Sequence, residues 1–168
     1  MNPEEETSIA TADLCDRFSE SVEVCEPMFA SYGSVKSFSG LISTVKVYED
    51  NVLVSEALKN LAPGSVLIVD GGGSKRCALL GDRLASIAAT RGLAGIIVNG
   101  CVRDSRELAN INVGILALAT HPRRSVKEGK GQRDVPVRFG GVTWVPGQHV
   151  YADHDGIVLS AEALHEGG

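Results

Sequence analysis

The chain has 168 residues, 43% hydrophobic and 22% charged, enough to enclose one ordinary core and too few for two comfortable domains. Its net charge of -5 and pI near 5.4 argue against a nucleic-acid backbone as the main ligand, because phosphate binding needs a dense cationic face. No apolar stretch approaches the roughly 20 residues of a membrane span, and Met1-Asn2-Pro3-Glu4-Glu5-Glu6 lacks the basic and apolar regions of a signal peptide, so no membrane contact and a cytoplasmic location are expected.

One domain over 1–168 is expected, with 1–10 and 165–168 as flexible tails. Thr11 to Asp16 reads as a short capped helix, and Leu41 to Tyr48, with apolar residues alternating from Ile42, as a half-exposed strand. Asn51 to Leu61 carries Val52, Leu53, Ala57, Leu58 and Leu61 at helical spacing, with Asp50 or Asn51 as cap and Pro63-Gly64 as stop. Val66 to Val69 follows as a buried strand.

Asp70-Gly71-Gly72-Gly73-Ser74 comes next, where phosphate loops and methyl-donor nucleotide loops also sit. It fits neither GxxxxGK[ST] nor GxGxxG, and Ser74-Lys75-Arg76 stands where a further Gly would complete a methyltransferase-like pattern. The run is therefore read as a tight turn at the edge of a site.

Leu79-Leu80-Gly81-Asp82 leads into a helix with Leu84, Ile87, Ala88 and Arg91 on one face and Gly92 as stop, which puts Asp82 at its N-terminus. Leu93 to Val98 is a continuous, β-branched run that reads as a buried parallel strand, with Gly100-Cys101-Val102-Arg103-Asp104 just past its carboxyl end. Val113 to Ala119 makes another strand. His121 to Gly131 is the one basic run, either a solvated mobile loop or a lid over an anionic ligand or a subunit contact. From Asp134 onward, Val135–Phe139, Val142–Val145, Val150–Ala152 and Ile157–Leu159 alternate between glycine-bearing turns and read as antiparallel hairpins. Parallel βα units followed by a β-rich end predict a layered β/β/α, mixed α/β domain.

Cys15, Cys25, Cys77 and Cys101 lack zinc-ligand spacing and are expected to be reduced, partly buried thiols. The chemistry points elsewhere. Asp82 and, twenty residues on, the adjacent Arg103 and Asp104 mark a helix start and a strand end, where open α/β sheets place ligands and free N–H groups favour an anion. A metal ligand beside a fixed cation suits an α-keto acid. Taken singly, Asp82 also reads as an ordinary N-cap, and Arg103-Asp104 as a loop-fixing salt bridge.

Val69 to Ser74, Ala78 to Asp82, Gly100 to Asp104, Phe139-Gly140-Gly141-Val142 and Tyr151-Ala152-Asp153 together resemble the RraA-like family, over about Thr11 to Ala163. That family includes the regulator of ribonuclease E activity A and the class II 4-hydroxy-4-methyl-2-oxoglutarate aldolases. The resemblance implies a swivelling β/β/α domain in a ring-shaped homotrimer, with active sites between subunits. It also implies a divalent cation, Mg²⁺ or Mn²⁺, held by Asp104, with Arg103 on the keto-acid substrate. Gly81, Asp82, Arg83 and Leu84 would offer backbone N–H groups to the substrate carboxylate, and Asp82 would orient metal-bound water. The implied activity is cleavage of 4-hydroxy-4-methyl-2-oxoglutarate to two pyruvates, with oxaloacetate decarboxylation through the same enolate. The alternative implied role is a non-catalytic inhibitor of ribonuclease E. A Schiff-base route needs a desolvated Lys, whereas Lys75, Lys127 and Lys130 lie in polar surroundings; His121 and His154 are candidate proton shuttles by residue type alone.

Overall fold

The computed structural model describes residues 10–164. They run α1 (Thr11–Arg17), β1 (Val22–Val24), β2 (Ala30–Ser31), β3 (Phe38–Lys46), α2 (Val52–Asn60), β4 (Val66–Asp70), β5 (Ala78–Leu80) and α3 (Asp82–Thr90). The second half runs β6 (Gly95–Val102), α4 (Ser105–Leu108), β7 (Gly114–Thr120), β8 (Gln132–Arg133), β9 (Val137–Phe139), β10 (Val142–Trp144), β11 (His149–Ala152) and β12 (Ile157–Ser160).

The sheet order is β1-β12-β11-β3-β4-β6-β7-β2, with β3, β4, β6 and β7 parallel and the outer strands antiparallel. Both faces of the parallel strands are covered. Leu67, Val69, Ile96 and Val98 pack on one side with Val54 and Leu58 of α2 and Ala85 and Ala88 of α3. Val66, Ile68 and Ile97 pack on the other with Phe139, Trp144 and Val150. Burial on both faces is why these strands are apolar without alternation. The result is the expected mixed α/β domain, with helices on one face and a β-layer on the other.

That β-layer is anchored by Trp144, which is fully buried, stacks on Phe139 at a centroid distance of 4.8 Å and donates its indole N–H to the Phe139 carbonyl at 3.2 Å. Phe38 fills the junction beneath. Its ring lies over Gly95 and Gly114, paired residues of β6 and β7, and a methyl group on either would run into it.

Several expectations need correction. The strand expected to end at Val98 continues to Val102, so only Arg103 and Asp104 lie past its end. The extension has a cause: β5, which composition does not announce, resumes along β6 the ladder that β4 leaves at Asp70, pairing Ala78 with Cys101 and Leu80 with Val102. Two hairpins, β9–β10 and β11–β12, form as expected, but β11 leaves β10 and pairs with β3 instead. The start of α1 is tied down by no local side chain; Asp153 accepts the Thr11 N–H at 2.8 Å and the Thr11 hydroxyl at 2.6 Å. Ala10, expected in a tail, is the N-cap residue of α1, and the rest of both expected tails lies outside the described residues. Among the described residues no helix is long and apolar enough to cross a membrane.

The glycine pair under Phe38 yields a stability test. Gly114→Ala is expected to destabilise by about 1–3 kcal/mol through overpacking, read as a lowered denaturant midpoint. Adding Phe38→Ala should recover part of that loss, because the two changes share one clash.

Candidate active site

The carboxyl ends of β5 and β6 are joined by the Arg103 N–H, which donates to the Leu80 carbonyl at 2.9 Å. Immediately afterwards the chain turns left-handed at Asp104, with φ 61° and ψ 43°, a conformation that Asp and Asn tolerate better than other side chains. The turn aims the Asp104 carboxylate at the start of α3. Its Oδ2 accepts the Asp82 N–H at 3.0 Å. The carboxylate that caps α3 is therefore Asp104, not Asp82.

This contact requires glycine at position 81. A Cβ there would lie 2.6 Å from Asp104 Oδ2 and 3.4 Å from Arg103 Cγ. Gly81 has φ -134°, so space rather than backbone conformation demands the glycine. With the cap supplied from elsewhere, the Asp82 side chain makes no capping bond, and the N-cap reading of Asp82 falls away. No Arg103–Asp104 ion pair occurs among the described salt bridges, and among the described hydrogen bonds the Arg103 guanidinium reaches only the Pro122 carbonyl, at 3.5 Å.

Asp82, Arg83, Leu84, Arg103 and Asp104 line one cleft of about 250 Å³, together with Gly81. The sequence-predicted residues thus meet. Of the N–H groups expected to face a carboxylate, that of Asp82 is already taken, while those of Arg83 and Leu84 donate to no protein acceptor among the described hydrogen bonds. Asn51, Ser55, Ala78, Leu80, Arg124, Ser125 and Lys127 complete the wall; none was singled out as a site residue, although the basic run that holds the last three has a lid over an anionic ligand among its readings.

That run is pinned rather than mobile. Asp50, only 1% exposed, accepts the Val52 N–H at 3.1 Å from the start of α2, and the Glu128 and Lys130 N–H groups at 3.0 and 3.1 Å from the basic loop. Upstream, the Ala78 N–H donates to the Arg123 carbonyl at 2.8 Å and the Val126 N–H to the Glu49 carbonyl at 3.0 Å. The loop is fixed against β5 and α2, with its cations at the cleft.

Other candidates do not reach this site. The glycine run is a tight turn, but it does not line the cleft: Gly71 and Gly73 donate to the Asn99 carbonyl, both at 3.1 Å, and Gly72 to Asp70 Oδ1 at 3.0 Å. With its three amides used internally, it offers no cradle to a nucleotide phosphate. His121 accepts the Arg123 N–H through Nδ1, His154 lies in a separate groove near Met28, and neither lines the cleft. The cysteines are free thiols, three of them buried. Burial pushes the Cys101 thiol above its ordinary value, with Lys75 opposing more weakly, which suits packing rather than nucleophilic chemistry. Lys127 is exposed and its ammonium sits 3.4 Å from Asn51 Oδ1, so it lacks the apolar pocket of a Schiff-base lysine.

Among the described residues no three His, Cys, Asp or Glu side chains cluster as a metal cage. Asp104 Oδ1, however, makes no hydrogen bond among those described, and Asp82 lines the same cleft. One or two carboxylates with open space around them match a Mg²⁺-type cation that keeps most of its water, and not a zinc site with three protein ligands.

A parallel-stranded α/β domain with a cation-lined, carboxylate-bearing cleft at its strand ends is thus the class that fold and site define. Within that class the chain belongs to the RraA-like family: the family pattern, described as Aldolase/RraA, matches residues 11–159. A Bacillus cereus protein provisionally named 4-hydroxy-4-methyl-2-oxoglutarate aldolase is 58% identical over 92% of this chain and 98% of its own length. A Geobacillus kaustophilus crystal structure titled S-adenosylmethionine: 2-dimethylmenaquinone methyltransferase superposes with a TM-score of 0.92 at 58% identity, covering 93% of this chain and 97% of that one. The Thermus thermophilis structure titled RNA-processing inhibitor RraA superposes with a TM-score of 0.91 at 45% identity, covering 95% and 96%.

The Asp50 clamp makes a prediction about pH. Burial alone would raise its carboxyl, but N–H bonds from Val52, Lys130, Glu128 and Gly129 outweigh burial and hold it below the ordinary value of 3.8. A depressed folded-state value means that the stabilisation is complete above the unfolded carboxylate range and is lost as pH falls through the folded value. Wild-type stability should therefore exceed that of Asp50→Asn by about 1–3 kcal/mol at neutral pH, and the gap should close below about pH 4. Parallel urea melts across pH 3–7 check this; a gap independent of pH contradicts it.

Proposed function

We propose that this protein is a divalent-metal-dependent aldolase that cleaves 4-hydroxy-4-methyl-2-oxoglutarate into two pyruvates, acting as a homotrimer in the cytoplasm, with oxaloacetate decarboxylation as a second activity. The observation that carries this reading is the meeting of Arg103, Asp104 and the free N–H groups at the start of α3 in one cleft. The name of the B. cereus relative supports it.

Arg103 binds the carboxylate and carbonyl side of the 2-oxo acid, and the Arg83 and Leu84 N–H groups hold the carboxylate at the positive end of α3. Asp104 would hold Mg²⁺ or Mn²⁺, with Asp82 orienting water in the same cleft; the cation would supply positive charge to the developing enolate. Asp82 accepts the proton of the C4 hydroxyl through water as the C3–C4 bond breaks; one pyruvate leaves and the other remains as its enolate. That enolate takes a proton at C3 and becomes the second pyruvate. Oxaloacetate losing CO₂ passes through the same enolate, so one arrangement serves both reactions. Arg103 contributes most where negative charge is greatest, after bond cleavage, which is what lowers a barrier rather than merely tightening binding.

A second reading, inhibition of ribonuclease E by protein contact, is supported by the T. thermophilis relative's title and by the acidic net charge of -5, which suits basic RNA-binding regions. It is compatible with the first, because the cleft itself is lined by more cations than carboxylates, so the chain's net negative charge is carried elsewhere.

Pyruvate release from 4-hydroxy-4-methyl-2-oxoglutarate should require Mg²⁺ or Mn²⁺ and stop with chelator. Arg103→Ala and Asp104→Ala should each lower kcat/KM by about 10²–10³-fold, and Arg103→Lys should not restore it, since one ammonium does not reproduce a planar fork. No metal-dependent turnover by the wild type would overturn the aldolase reading. Gly81→Ala should cost activity comparably to Asp104→Ala while the chain stays folded, because its methyl displaces the Asp104 carboxylate. A pull-down with ribonuclease E, using wild type and Asp104→Ala side by side, tests the second reading; recovery of neither rejects it.

A further inference from the structure

The cleft carries more positive charge than one substrate carboxylate requires. Arg83, Arg103, Arg124 and Lys127 line it against only Asp82 and Asp104, an excess of two cations on a chain whose net charge is -5. Arg103 and the start of α3 account for the 2-oxo acid end. Arg124 and Lys127 come from a separate segment, the loop clamped by Asp50.

Ser125 between them has a second peculiarity. It is 5% exposed, lines the cleft, and its Oγ is the one buried side-chain polar atom among the described residues that finds no hydrogen-bond partner. A buried hydroxyl left unpaired carries an uncompensated desolvation penalty, and the backbone around it is held in place. Backbone bonds hold the chain on both sides of it, from Arg123 to Ala78 and from Val126 to Glu49. A buried donor fixed in a cation-rich cleft with no protein acceptor is placed for an acceptor that arrives with a ligand.

We infer that Ser125 and Arg124 form a second anion subsite that binds the distal carboxylate of a 2-oxo dicarboxylate, and so select dicarboxylic over monocarboxylic substrates. The inference rests on the aldolase reading for the position of the 2-oxo acid end and adds what reads the other end. Ser125 donates its hydroxyl proton to one carboxylate oxygen, and Arg124 donates charge-assisted N–H bonds. Lys127 contributes field from its place beside Asn51.

Two uncleavable ligands isolate the effect: 2-oxoglutarate and 2-oxobutyrate share the 2-oxo acid end and differ in the tail carboxylate. Calorimetric titration of the full chain in Mg²⁺ should show 2-oxoglutarate bound at least about tenfold tighter, the worth of one charge-assisted bond. Ser125→Ala and Arg124→Gln should each shrink that preference and together abolish it, leaving 2-oxobutyrate affinity within about twofold. Ser125→Ala should also leave the thermal midpoint unchanged or raise it, since it removes an unpaired buried hydroxyl; a hydroxyl with only a structural role would lower the midpoint and leave the preference intact. Equal affinities in the wild type, or a preference that survives in the double variant, overturns the inference. A preference dependent on Ser125 and Arg124 in a protein that releases no pyruvate supports the subsite and rejects the aldolase reading, so the two failures are distinct.

Discussion

A single hydrogen bond, from the Asp82 N–H to the Asp104 carboxylate, organises the cleft. It connects the start of α3 to the end of β6 across the one residue small enough to let them touch, Gly81. Because Asp104 takes over the capping of α3, Asp82 keeps its carboxylate for the cleft, and the remaining N–H groups of the first helical turn stay open to a ligand. The fold places this contact where parallel strands end, so both partners stand on rigid elements. In this contact only Gly81, Arg103 and Asp104 lie outside a helix or strand, each within two residues of one.

The part of the cleft lined by the basic loop is built on a different principle. A basic segment with several like charges tends to stay solvated and mobile, yet this one is fixed by a buried anion that it does not itself contain. Asp50 binds main-chain N–H groups rather than side-chain cations, so it immobilises the backbone while Arg124 and Lys127 keep their charges without a carboxylate partner among the described salt bridges. Rigidity and free positive charge are thereby obtained together. The same economy appears at the glycine run, where Asn99 and Asp70 absorb the amides of Gly71, Gly72 and Gly73 and let β5 resume the ladder begun by β4.

How much of this was legible in the sequence depended on the range of the interaction. The parallel strands and α2 and α3 announce themselves through apolar runs and helical spacing, which are local signals of burial. Asp82, Arg103 and Asp104 were legible as a set through spacing and family resemblance, and the structure brings them to one cleft. What escaped was set by contacts distant in sequence. The strand β5 has only three residues and exists because β6 offers it a free edge; the cap of α1 comes from Asp153; β11 joins β3 instead of its sequence neighbour. Ser125 escaped for a related reason: a serine within a basic run looks like a solvated surface residue, and only the packing around it reveals a buried hydroxyl without a partner.

The left-handed backbone at Asp104 narrows what evolution can place there. Two independent filters act on one position. Chain handedness admits glycine, asparagine and aspartate with least strain, and the electrostatics of the cleft admit only a carboxylate. Glutamate carries the charge but takes the turn at greater strain, as Glu49 does at φ 55°, and its longer side chain would carry the carboxylate away from Asp82; asparagine takes the turn and lacks the charge. Aspartate satisfies both with least strain, so the usual interchange between acidic residues is not a neutral change at this position.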